Sequence, residues 1–402
     1  MTTLCGPPLS GAEGVGPLTL GGFLTEVAGR FADHEALVFD DPLSGGATIR
    51  WSYAELLYHA RRVAKALVAV GVSKGTRVGI LMGNRPESVA AFFGAPMAGA
   101  IAVPLSTLLP PARARLSPSS CRHRCVVHPG PVARAQLRRR HRGAVPRDHR
   151  GAPDRERLLP ISAPGCSRRS RRGTGSVPAG AVQTWEDFLA VVDGVPDAVV
   201  DARGAQTSPS DLGLITYSSG TTDRPKEMLH NNRAPTLQFW LLAQVFGRSQ
   251  TTRLWTALPM FWTAGMNSAM GATLAAGGCW VMQETFEPAK ALRLMARERV
   301  TEPYTLPHQT AALEEHTDWA STDLSSMTCV FGKSAFARHP SVSGDTGWQM
   351  PTGFGLSETC TFFAAHPSNS PRDLFLHSLR RLQPRQRAAG HRSRHRTGAR
   401  CQ

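Results

Sequence analysis

Ile215-Thr216-Tyr217-Ser218-Ser219-Gly220-Thr221-Thr222-Asp223-Arg224-Pro225-Lys226-Glu227-Met228-Leu229-His230 decides how this chain is read. The stretch follows the apolar run Leu212-Gly213-Leu214-Ile215, which has the length and composition of a short strand. Four hydroxyls, at Ser218, Ser219, Thr221 and Thr222, then crowd a turn in which Gly220 lets the backbone approach a ligand closely, and Lys226 adds a mobile cation. A strand, a donor-rich glycine turn and a lysine are the parts a polyphosphate needs. A plain solvated Ser/Thr turn would not need Pro225-Lys226 at fixed spacing behind the hydroxyls.

On these residues the chain resembles the AMP-forming acyl-CoA synthetases of the adenylate-forming superfamily, whose signature is a Ser/Thr-Gly-Thr-Thr-Gly loop closed by Pro-Lys-Gly. Ser219, Gly220, Thr221, Thr222, Pro225 and Lys226 match that pattern, while Asp223 and Glu227 stand where the family has glycine. Two carboxylates are thereby expected beside a polyanion. A unit charge pair at about 4 Å is worth about 1 kcal/mol in water and about 4 kcal/mol at an effective dielectric of 20, so weakened ATP binding is the expectation. A second resemblance lies at Gly353-Phe354-Gly355-Leu356-Ser357-Glu358-Thr359, similar to the family's Tyr-Gly-x-Thr-Glu signature. The resemblance implies that Phe354 stacks near adenine beside Gly355, that Ser357 meets the α-phosphate and that Glu358 holds Mg²⁺, an ion that takes hard oxygen ligands and often a single carboxylate plus phosphates.

Further segments extend the likeness. Leu258-Pro259-Met260-Phe261-Trp262-Thr263-Ala264-Gly265 resembles the segment lining the acyl pocket, which implies that Trp262 and Gly265 shape an acyl tunnel, against the alternative that Trp262 is ordinary core. Val330-Phe331-Gly332-Lys333-Ser334-Ala335 occupies the place of the family's adenine segment, with Gly332 as the contact and Lys333 atypical. Gly332-Lys333-Ser334 also mimics the end of a P-loop, but Met327 stands where that loop needs its first glycine. The resemblance therefore implies catalytic roles for Thr221, Lys226 and Glu358, with ATP, Mg²⁺, coenzyme A and a fatty or other carboxylic acid as the small molecules. The family's Asp for the ribose hydroxyls, hinge and small C-terminal domain with its lysine have no counterpart in the text, so the expectation is a truncated N-terminal large part with impaired or absent acyl-CoA synthesis.

Length and composition suit a soluble globular protein: 402 residues, 41% hydrophobic. The formal net charge of +16 is not spread over the fold. From Pro111 to Gly180 there are 17 Arg against Asp148, Asp154 and Glu156, and from His377 to Gln402 there are 8 Arg and no acid, which leaves the rest mildly acidic. The first tract also lacks Lys, Phe, Trp and Tyr. Either it is a disordered basic insertion, or it is translated out of frame from GC-rich DNA. A rival function follows from the same tracts, a non-catalytic basic protein held to nucleic acid or anionic surfaces, though no aromatic residues are interleaved for base stacking. Cys121-Arg122-His123-Arg124-Cys125 with His128 resembles half a zinc site without the second pair.

The order along the chain is α/β. Ala36–Phe39 reads as a strand; a Ser52 to Glu55 capping box opens a helix that places Leu56, Ala60, Val63, Ala64 and Leu67 on one face and ends at Gly71. Arg77–Met82 reads as a strand, and Gly83-Asn84-Arg85-Pro86-Glu87, which resembles a family scaffold turn, leads into a helix with Phe92 and Phe93. Strand and helix alternate, which predicts mainly parallel sheets flanked by helices, the N-terminal domain of an adenylate-forming enzyme. Thr273–Met282 is read as strand, Phe286–Arg299 as helix, and Val300–Gln309 as strand and turn. Composition divides the chain into an N-terminal α/β subdomain at 1–108, a basic segment at 109–182, the ATP- and acyl-binding part at 183–376 and a basic tail at 377–402. Eight scattered cysteines, at 5, 121, 125, 166, 279, 329, 360 and 401, fit reduced thiols, the first residues show no targeting peptide, and Ser88–Leu105 reads as buried helix and strand and not as a membrane span, so a cytoplasmic enzyme is expected.

Overall fold

The helix Tyr53–Ala69 starts as its sequence dictates. The Ser52 hydroxyl accepts from the Glu55 N–H at 3.2 Å, the Glu55 carboxylate accepts from the Ser52 N–H at 2.7 Å, and Leu56, Ala60, Val63, Ala64 and Leu67 are buried together. The helix stops where Gly71 takes φ +84°, a left-handed conformation open to glycine. The computed structural model describes residues 14–108, 183–218, 226–343, 347–351 and 353–371, with Leu9 and the backbone of short strands at 2–5, 123–128, 159–162, 381–382 and 387–390. For 183, 184 and 218 it describes the backbone only.

Two large sheets carry the fold. The first runs in the order Lys226–Asn231, Leu212–Ser218, Ile101–Pro104, Arg77–Ile80, His123–His128, Leu159–Ser162, Gln183–Thr184, parallel throughout except for the antiparallel pair Lys226–Asn231 and Leu212–Ser218. The second has the order Glu302–Pro303, Arg253–Thr256, Cys279–Met282, Glu35–Asp41, Ala47–Ser52, parallel but for its last antiparallel pair. The mainly parallel α/β class read from the alternation is what the chain adopts. Each sheet draws strands from both sides of the stretch 109–182. Within that stretch the structure differs from the compositional reading at two places, because Cys125-Val126-Val127 and Leu159-Pro160-Ile161 sit in ladder-paired strands; short apolar runs suffice where neighbouring strands supply the hydrogen bonds. The remaining residues of 109–182, and the side chains of Cys121, Cys125 and His128, lie outside the described residues.

The helix Pro86–Met97 is buried at every position and packs on Tyr53–Ala69. At Gly94 a Cβ would fall 2.6 Å from the Ala60 carbonyl oxygen, so the two helices close only because that side chain is missing. Their shared core takes in Leu37 and Phe39 of one sheet and Val78, Ile80 and Ala102 of the other. The turn before the helix stitches the sheets by charge. Arg85, with no solvent exposure, lies 3.2 Å from Asp41, 3.4 Å from Glu87 and 3.3 Å from Glu284. Burial pushes the carboxyls of Glu87 and Glu284 above their ordinary range against the pull of the Arg85 guanidinium.

Two sequence readings shift here. Thr273–Ala275 is not strand: a π-helical segment, Ala264–Gly271, runs directly into the helical turn Ala272–Ala275, and the strand is confined to Cys279–Met282. Small residues at 269, 271 and 272 let this helix pack tightly, with a Gly271 Cβ position only 1.9 Å from the Phe239 ring. Likewise Val300–Gln309 contains a two-residue strand, Glu302–Pro303, and then the start of the helix Pro307–Glu314. Among the described residues no helix is long and apolar enough to cross a membrane.

Candidate functional site

The hydroxyl-rich stretch is the connection of an antiparallel hairpin. Leu212–Ser218 and Lys226–Asn231 pair with Lys226 opposite Ser218 and Glu227 opposite Tyr217, so both ends of the loop are held side by side at the sheet edge. The loop proper, with Ser219, Gly220, Thr221, Thr222 and Asp223, lies outside the described residues, as does the Ser218 side chain. Lys226 opens the returning strand with an exposed side chain, and among the described residues no carboxylate pairs with it. Glu227 is a correction. Consecutive strand residues point to opposite faces, and its carboxylate accepts from the Tyr217 hydroxyl at 3.0 Å and lies 3.7 Å from Arg77, so it is turned to the face away from Lys226 and its charge is engaged.

The second motif is also a hairpin. Gly353–Leu356 pairs with Thr361–Ala365 around the tight turn Ser357–Thr359. Gly355 is needed where the strands bulge, since a Cβ there would fall 2.0 Å from the Thr361 carbonyl oxygen. Phe354 is 53% exposed and rests edge-on against Phe363 at 5.1 Å, which leaves an aromatic face open. Ser357 is half-buried and Glu358 exposed on the turn, and among the described residues no lysine or arginine pairs with the Glu358 carboxylate.

What the sequence could not show is that these two motifs touch. The strand Lys226–Asn231 packs against the turn Ser357–Thr359. His230, 4% exposed, lies at the junction, with Nε2 3.3 Å from the Thr216 hydroxyl and within electrostatic reach of the Ser357 backbone and the Glu358 carboxylate. Burial holds the imidazole below its ordinary pKa against the pull of Glu358 and the Ser357 carbonyl, so it is neutral. Two buried amides anchor the hairpin from below. Gln238 donates to the Phe362 carbonyl at 2.7 Å, and Asn267 donates to the Cys360 carbonyl and to the Thr361 hydroxyl at 2.9 Å.

Trp262 is 41% exposed beside the buried Phe261, which excludes the ordinary-core reading and leaves an indole available to a ligand. At Gly265 a Cβ would lie 2.2 Å from the Pro259 carbonyl oxygen, so packing within the segment by itself demands the glycine. The segment is fixed from across the molecule by Asn84, whose amide donates to the Leu258 carbonyl at 2.8 Å and accepts from the Met260 N–H at 2.9 Å. Gly332 and Lys333 sit on an exposed turn closed by the Ser334 N–H donating to the Phe331 carbonyl at 2.8 Å, with no neighbour within 4 Å of a Gly332 Cβ. Asn84, His230, Gln238 and Asn267 had no distinguishing mark in the sequence. His230 stood at the end of the hydroxyl-rich run and Asn84 in the scaffold turn Gly83-Asn84-Arg85-Pro86-Glu87, and nothing local told the role of either.

The family described as AMP-binding enzyme matches residues 24–384. An indoleacetate–CoA ligase of Aromatoleum aromaticum is 27% identical over 325 residues, covering 80% of this chain and 58% of that protein. The acyl-CoA ligase sidI of Aspergillus fumigatus is 27% identical over 300 residues, covering 72% and 46% respectively, so the chain spans about half the length of the curated relatives it matches. In fold it is similar to the anthranilate CoA ligase AuaEII in complex with anthranoyl-AMP, with a TM-score of 0.68 at 23% identity over 88% of this chain and 63% of that one. The N-terminal domain of FACL13 from Mycobacterium tuberculosis gives a TM-score of 0.62 at 20% identity over 87% and 79%.

Proposed function

This chain belongs to the AMP-binding enzyme family, and on that footing we propose that it carries the nucleotide and carboxylate site of an AMP-forming acid–CoA ligase of the cytoplasm. The observation that supports this most is the docking of the strand Lys226–Asn231, which opens with an exposed lysine, on the turn Ser357–Thr359, which bears an exposed carboxylate, although the two lie far apart in the chain. In the proposed reaction an oxygen of the carboxylic acid attacks the α-phosphorus of ATP, an acyl–phosphate anhydride bond forms, and pyrophosphate leaves with the electron pair of the cleaved P–O bond. The thiolate of coenzyme A then displaces AMP from the adenylate. Lys226 and the loop hydroxyls Thr221 and Thr222 bind phosphate oxygens, Phe354 offers a face to the base, Ser357 offers a hydroxyl to the α-phosphate, and Trp262 borders the acyl chain. Positioning and charge stabilisation account for most of the catalysis of such a transfer.

The residues suit Mg²⁺. Among the described residues there is no cluster of three or more His, Cys, Asp or Glu side chains, and Mg²⁺ asks for none, since one carboxylate with phosphate oxygens and water completes its shell. Glu358, without a cationic partner among the described residues, would hold it, and the ion would neutralise phosphate charge. The fine choice of acid goes with the surroundings of Trp262. A carboxylate-dependent exchange of labelled pyrophosphate into ATP tests the reading: exchange above the no-acid background with any aromatic or fatty acid supports it, and none across a broad acid panel contradicts it.

The engagement of Glu227 by Tyr217 and Arg77 changes one expectation of the sequence. Glu227→Gly alone should leave ATP affinity unchanged in titration calorimetry, and any gain from restoring both glycines belongs to Asp223→Gly. Tighter binding on Glu227→Gly alone would mean that this carboxylate reaches the phosphates.

A further inference from the structure

The turn bearing Ser357 and Glu358 ends in an unusual corner. Cys360 has φ 61° and Thr361 φ 128°, left-handed values that side chains rarely adopt and that persist where the surroundings over-determine them. Asn267 is one determinant. It is fully buried, its amide nitrogen donates to the Cys360 carbonyl at 2.5 Å and the Thr361 hydroxyl at 2.9 Å, and its amide oxygen has no hydrogen-bond partner among the described residues. An unpaired buried oxygen opposes folding, so an apolar side chain of this size would serve stability better. The asparagine is explained by its two donors. Asn267 also stands in the π-helical segment Ala264–Gly271, which the Met266 N–H ties to the Trp262 carbonyl at 2.8 Å, and such segments recur at functional sites.

We propose that Asn267 is a positioning residue that couples the two halves of the site, fixing the corner behind Ser357 and Glu358 in register with the segment carrying Trp262, so that occupancy on the acyl side strengthens binding on the nucleotide side. The proposal rests on the reading of the site as an acid-activating one. It differs from simple anchoring, because Gln238 holds the same hairpin through Phe362 from the helix Arg233–Phe246, which follows the phosphate-loop strand and not the Trp262 segment.

The test compares the dissociation constants of AMP and of 5′-O-(N-acylsulfamoyl)adenosine, in benzoyl and lauroyl forms, for the full chain. In the wild type the better acyl form binds more tightly than AMP, a gain that includes direct acyl contacts, so the coupling is read from how far the ratio of the two constants changes on mutation. Asn267→Leu keeps the unliganded melting temperature near that of the wild type while the ratio falls about tenfold, within the usual range of coupling between sites. Thr361→Val, which removes the hydroxyl acceptor at nearly constant volume, lowers the ratio in the same direction and serves if Asn267→Leu fails to fold. Gln238→Leu weakens both ligands together and leaves the ratio alone. A wild type that binds both ligands with an unchanged ratio in Asn267→Leu and Thr361→Val, or with no preference for the acyl form at all, overturns the coupling. A wild type that binds neither ligand overturns the reading of the site itself, and the coupling with it.

Discussion

Arg85→Ala destabilises the folded chain by about 3–5 kcal/mol at neutral pH, the cost of removing one partner from a buried charge cluster. The guanidinium is wholly buried and lies within 3.4 Å of carboxylate oxygens of Asp41, Glu87 and Glu284. Without it Asp41 and Glu284, on the second sheet's side of the cluster, and Glu87, from the helix Pro86–Met97, share a site with no cation. The pH dependence has a definite sign. Burial already raises the folded-state pKa of Glu87 and Glu284 above the ordinary glutamate value, and loss of Arg85, which pulls both down, raises them further. A carboxylate raised in the folded state binds its proton more tightly there than in the unfolded chain, so the penalty is full above the raised value and is relieved as pH falls through it. Guanidinium unfolding of wild type and Arg85→Ala, at neutral pH and in mildly acidic buffer, should show a large gap in midpoint that narrows with acid. A gap that is small, or that widens with acid, would show that the cluster does not hold the sheets as described.

The second large effect belongs to Lys226. Its ammonium is exposed at the foot of the loop, no carboxylate among the described residues competes for it, and Glu227 faces the other way. Lys226→Ala should therefore weaken ATP about ten- to a hundredfold, the worth of one charge-assisted contact to a phosphate, and AMP by less. The difference between ATP and AMP should shrink at high salt, because an exposed cation acts through a screened field. Equal losses for the two nucleotides would place Lys226 away from the β- and γ-phosphates.

What the sequence disclosed and what it withheld divide along sequence distance. The helix Tyr53–Ala69 was legible because its cap, its buried stripe and its terminating glycine all act within a turn or two. The strand Leu212–Ser218 was legible for the same local reason. Thr273–Ala275 misled because small residues suit a packed helix and a buried strand alike, and nothing local chooses between them. Glu227 was readable in principle: strand alternation alone sets it on the face opposite Lys226, but that required knowing that the strand begins at Lys226. The ties that make one site of the motifs were not legible at all. Asn84 reaches Leu258, Gln238 reaches Phe362, Asn267 reaches Thr361 and His230 meets the Ser357–Glu358 turn, each across a separation over which a single sequence carries no pattern.

That the two hairpins form one nucleotide site is tested most directly by the thermal stability of wild type and Glu358→Ala with and without ATP in the presence of Mg²⁺. A ligand that binds only the folded chain raises its melting temperature with concentration, so the readout needs no turnover and no knowledge of the acid. Glu358 is exposed and makes no packing contribution that alanine would remove, so the unliganded proteins should melt alike. Mg-ATP should raise the melting temperature of the wild type, and the rise should be lost or strongly reduced in Glu358→Ala; an identical response in the two proteins would mean that the hairpins do not form one site.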